Sequence, residues 1–86
     1  MPELCRFYGI VIKMYFGDHN PPHFHAVYAE HEAVFTIDTA AVIDGNLPPR
    51  AHGLVAEWAS TRRSELHRAW RQASSKEAIE KIDPLP

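Results

Sequence analysis

The sequence predicts an α+β domain: a three- or four-stranded antiparallel sheet, followed by a long C-terminal helix packed on one face. Three observations predict it. From Phe7 to Asp38 apolar residues alternate at a period of about two, the spacing of a half-buried strand. After Leu47-Pro48-Pro49 they recur three and four residues apart, the spacing of a helix. The polar breaks between the alternating stretches are short, which favours neighbouring strands joined as an antiparallel meander.

The first element is Phe7–Phe16, rich in β-branched and aromatic residues. As one strand it places Tyr8, Ile10, Ile12, Met14 and Phe16 on one face, and Phe7, Val11, Lys13 and Tyr15 on the other. Gly17 to Pro22 forms a bend, since neither Pro21 nor Pro22 can donate to a ladder. His23–Tyr28 resumes alternation, with Phe24, Ala26 and Tyr28 opposite His23, His25 and Val27. Ala29-Glu30-His31 reads as a hairpin loop and Glu32–Asp38 as the next strand. A short strand, Ala41–Ile43, ends at the turn signal Asp44-Gly45-Asn46.

The helix is expected from about Pro49 to Ala73. Pro49 suits a first turn, where its missing N–H matters least. Val55, Trp58, Leu66, Ala69, Trp70 and Ala73 form the apolar stripe, which should bury both indoles. Ser60-Thr61 marks a bend or break, and Ser74 to Glu77 has the spacing of a capping box for one further turn. Arg62, beside the stripe, is expected to lay its stem along it and reach a carboxylate such as Asp38.

Composition narrows the function classes. At 86 residues the chain has room for one modest core, so 1–86 is read as a single domain. An apolar fraction of 45% and a charged fraction of 23% exclude a largely disordered chain. The lone Cys5 excludes an intramolecular disulfide and a cysteine-based zinc finger. No apolar run reaches membrane-spanning length and no leader pattern opens the sequence, so the expected setting is the reducing cytoplasm.

The densest chemistry lies in Asp18-His19-Asn20-Pro21-Pro22-His23-Phe24-His25, three imidazoles and a carboxylate around a stiff Pro-Pro pair. His23 and His25, two apart on a strand, leave the same face within reach of one cation. His19 can fold back across the bend, and Asp18 or a water can supply a fourth position. Such a set suits a divalent metal (Zn, Mn or Ni) and its activation of a water. The competing reading is a hydrogen-bonded bend in which the imidazoles bind backbone groups and only fix the fold.

Two weaker sites stand beside it. Arg63, Arg68 and Arg71 fall in a basic segment behind an acidic front half, and would face phosphates or an acidic partner. Ordinary ion pairs on a solvated helix face are the commoner explanation of such a segment. Cys5 beside a histidine would be a nucleophile, against the commoner role of a small apolar filler.

The string Asp18 to Ala26, the opening Arg6 to Phe16, Leu47-Pro48, Leu54-Val55 with Trp58, Trp70 and the closing Ile82 to Leu85 resemble the bacterial family called domain of unknown function 4160. The resemblance implies a component of a small two-gene, toxin–antitoxin-like module, and brings no catalytic residues. Two functions compete on this reading. One is partner binding within such a module, as a homodimer or with a small module protein, and with nucleic acid as a further partner. The other is a small metal-dependent hydrolase or nuclease centred on His19, His23 and His25. Whether the chain is an enzyme is left open.

Overall fold

The computed structural model describes residues 3–86; Met1 and Pro2, part of the single-domain reading, lie outside the described residues. The chain is α+β. Five strands come first: β1 (Glu3–Phe7), β2 (Ile10–Lys13), β3 (His23–Tyr28), β4 (His31–Thr36) and β5 (Val42–Gly45). Two helices follow, α1 (Pro49–Thr61) and α2 (Arg63–Ser74). The sheet is an antiparallel meander in the order β1-β2-β3-β4-β5, one strand wider than the widest sheet expected.

The extra strand comes from a turn that the alternation concealed. Phe7–Phe16 is not one strand, because the chain reverses at Tyr8-Gly9, with φ of 50° and 80°. A two-residue hairpin with both central residues left-handed matches the twist of its strands. Gly9 adopts that conformation freely, but Tyr8 is not a turn former, so composition gave no warning. The reversal sets Phe7 opposite Ile10, so both face the core. Of the five residues expected on one face, Ile10, Ile12 and Met14 are buried, whereas Tyr8 and Phe16 are exposed.

The expected single helix is two. Ser60 Oγ donates to the Glu57 carbonyl and Thr61 Oγ1 to the Trp58 carbonyl, each at the expense of the helix's own ladder. The chain leaves helical geometry at Arg62, φ −123°, and restarts at Arg63. The turn expected from Ser74 to Glu77 does not form a helix; the chain turns at Ser75-Lys76 and then runs without regular secondary structure.

Both helices cover one face of the sheet. Trp58 is fully buried and Trp70 nearly so. The Phe24 and Phe35 rings stack 5.4 Å apart, and Trp58 meets Phe24 edge-on at 5.7 Å and Phe7 at 5.6 Å. Each such side chain taken from water stabilises the fold by about 1.5–3 kcal/mol. The tail closes the other side of this core. Ile82 N–H donates to the Leu4 carbonyl, and Trp58 Nε1–H to the Asp83 carbonyl at 2.8 Å. Arg62 joins that tail rather than Asp38, donating to the carbonyls of Asp83 and Pro84. The backbone lies within reach of its elbow position, and Asp38 is engaged by His67 at 2.8 Å.

Among the described residues no helix covers the opposite sheet face, and Val11, Lys13, Val27 and Val34 there are only half-buried. Among the described residues no helix is long and apolar enough to cross a membrane.

Candidate metal centre

At the β2–β3 end of the sheet the chain is pinned from two sides. Gly17 N–H donates to the Ala73 carbonyl, and Ile37 N–H to the Pro22 carbonyl. His23 then opens β3 with its ring 5.1 Å from Trp70. The pairing of Lys13 with His25, and of His25 with Val34, places the His25 ring on the helix-free face. Tyr15 packs edge-on against it at 4.4 Å. The His23 and His25 side chains are 10% and 15% exposed, so neither ring is free to wander.

The hydrogen bonds assign the ring nitrogens. His23 Nδ1 lies 2.7 Å from the Pro21 carbonyl, which only accepts, so Nδ1 carries a hydrogen. His25 Nδ1 lies 3.2 Å from the Glu32 carboxylate, which again makes it the donor. Both Nε2 atoms are thereby left to face the same carboxylate oxygen. Asp18 Oδ2 is 2.8 Å from His23 Nε2 and 3.6 Å from His25 Nε2. His25 Nε2 is buried without a hydrogen-bond partner. An unsatisfied buried acceptor costs about 1–3 kcal/mol.

One cation would satisfy both nitrogens. Zinc–nitrogen bonds of about 2.0–2.1 Å put neighbouring tetrahedral ligands about 3.3 Å apart. The two distances to Asp18 Oδ2 bracket that value, and one ligand atom from each of Asp18, His23 and His25 lies within 4.8 Å of the others. Metal-bound histidines characteristically give their second ring N–H to a carbonyl or carboxylate, as Pro21 and Glu32 provide here. Without a cation, a hydrogen bond at 2.8 Å needs one hydrogen between Asp18 Oδ2 and His23 Nε2.

Asp18 is set for the charged form. Burial pushes its carboxyl up, but the hydrogen bond and charge of His23, the His19 amide and His25 outweigh burial. The net result lies below the ordinary carboxylate value. The His19 amide donates to Asp18 Oδ1 at 3.2 Å, which fixes the carboxylate as it leaves the bend.

The structure brings together Asp18, His23 and His25 of the four expected ligands. The His19 side chain is 94% exposed and stands outside that group, with Nδ1 3.7 Å from Asp18 Oδ1. Its backbone serves the site instead of its ring. Glu32 is the residue that the sequence reading missed. A three-residue loop at 29–31 opposes Glu32 to Tyr28; the observed two-residue turn opposes it to Val27, on the His25 face.

The remaining candidates fare differently. Arg63, Arg68 and Arg71 are all exposed, and Arg68 lies 3.6 Å from Glu80. At about 100° per residue, Arg63 and Arg68 point about 140° apart around α2, with Arg71 between them. Burial pushes the Cys5 thiol up to about 12, which leaves it protonated and unreactive as a nucleophile.

A family model described as "Domain of unknown function (DUF4160)" matches residues 9–71. Comparison with curated proteins and with solved structures returned no match.

Proposed function

The chain belongs to that family of unknown function, which assigns no chemistry, and we propose from its own geometry that it binds one divalent metal through Asp18, His23 and His25. The observation that carries the proposal is the buried, partnerless His25 Nε2, aimed with His23 Nε2 at one carboxylate oxygen. Buried polar groups without a partner are uncommon, which favours an occupant over a purely structural bend. Three protein ligands leave a coordination position for water, the arrangement of hydrolytic rather than closed structural sites. The depression beside His25 is lined by Glu32, Val34, Asp44 and Gly45. Its two carboxylates repel phosphodiesters, so the hydrolase form of this reading favours a neutral or cationic substrate over nucleic acid.

Elemental analysis of protein purified without chelator tests the proposal. About one zinc, manganese or nickel per chain, removed by chelator and absent from His25→Ala, supports it. No metal in the purified protein, and none taken up on titration, would remove it.

A second reading, partner binding in a two-gene, toxin–antitoxin-like module, is favoured by one surface feature. Tyr8, Phe16 and Ile43 are exposed at 57%, 47% and 51%, and the helix-free sheet face is half-apolar. A second copy or a small module protein would cover such surface. Light scattering that gives a strict monomer, together with a pull-down that yields no partner, counts against it. The cytoplasm is the setting we propose for both readings.

A further inference from the structure

A cavity of about 280 Å³ lies at the opposite end of β3 from Asp18, between the Tyr8-Gly9 turn and the first turns of α1. Its walls are Tyr8, Ile10, Tyr28, Pro48, Ala51 and Leu54, with Arg50 the one charged residue. That volume sits just below the range of about 300–1,000 Å³ that holds drug-sized molecules, so it suits a single ring or a short branched chain.

Two features suit it to a ligand. Tyr8 is held left-handed and fixed by a hydrogen bond from its hydroxyl to the Pro86 carbonyl, which sets its ring as one wall. Among the described residues neither the Arg50 guanidinium nor the Tyr28 hydroxyl has an ion-pair or hydrogen-bond partner. An uncommitted guanidinium beside apolar and aromatic walls has the chemistry of a carboxylate receptor.

We propose that this cavity binds a small monocarboxylate with a one-ring aromatic or branched apolar body. The body lies between the two tyrosine rings, against Ile10 and Leu54. The carboxylate accepts hydrogen bonds from Arg50. The site shares no residue with the metal centre, so it stands or falls independently of it.

The test is a two-dimensional NMR titration of the full chain with 3-phenylpropanoate, with 3-phenylpropan-1-ol as the uncharged control. Saturable shifts at the amides of Tyr8, Tyr28, Ala51 and Leu54 are expected. Binding should weaken about tenfold or more for the alcohol and for Arg50→Gln, the loss expected for a charge-assisted pair. Leu54→Trp, which fills the cavity, should abolish the shifts while the rest of the spectrum stays folded. Shifts that do not saturate, or equal affinity for the acid, the alcohol and Arg50→Gln, overturn the proposal.

Discussion

Replacing Asp18 by asparagine keeps the shape of the side chain and removes its charge. In chelator-treated protein the bond at stake is His23 Nε2–H to Asp18 Oδ2, 2.8 Å long between side chains 10% and 22% exposed. A hydrogen bond to a charged group is worth about 1.5–3 kcal/mol. Partial solvent screening of Asp18 brings the expected loss to about 1–2 kcal/mol. For a domain of this size that lowers Tm by about 4–16 °C. The loss depends on pH with a definite sign. The folded carboxyl lies below its ordinary value, so its stabilisation is present above that value and disappears as pH falls through the lower folded one. Thermal melts of both proteins with chelator, from about pH 5 down to about pH 2, should show the gap in Tm closing below about pH 4. A gap that is constant across that range, or an Asp18→Asn variant as stable as the parent near about pH 5, would refute the charge-assisted pairing.

Other outcomes follow from the same geometry. Glu32→Gln should weaken zinc binding about 10- to 100-fold while the fold persists, because Glu32 only orients His25; an unchanged affinity in calorimetry would deny it that role. Cys5 in native protein should resist alkylating reagents at about pH 8 and react only on unfolding, since burial holds its thiol pKa at about 12; rapid labelling of folded protein would contradict this. Gly45→Ala should destabilise by more than about 1 kcal/mol in denaturant melts, because φ is +68° and the new Cβ would collide with the Glu32 carbonyl oxygen; a neutral effect would mean that β5 shifts freely off β4.

Much of the fold was legible because it rests on period. The switch at Leu47-Pro48-Pro49, the burial of Trp58 and Trp70, and the placing of Phe24, Ala26 and Phe35 inward all follow from spacing alone. What escaped was set by local backbone conformation. Tyr8 carries no turn signature, yet its left-handed φ creates β1. The break at Arg62 was visible at Ser60-Thr61, whose hydroxyls turn back onto carbonyls, but the contact of Arg62 with the tail is long-range and carries no local signal. The candidate site divides along the same line. His23 and His25 were placed by the two-residue period of a strand, which is a backbone rule. The His19 ring sits in a bend, where period says nothing, and it points to solvent. Glu32 depended on a hairpin one residue shorter than expected.

Calorimetric titration of chelator-stripped protein with zinc at about pH 7 bears most directly on the metal centre. One zinc per chain should bind, with affinity falling in acid because metal ligands must be deprotonated. His25→Ala should bind none while keeping its circular dichroism spectrum. Absence of stoichiometric uptake by the parent, or undiminished uptake by His25→Ala, would contradict a centre built on Asp18, His23 and His25.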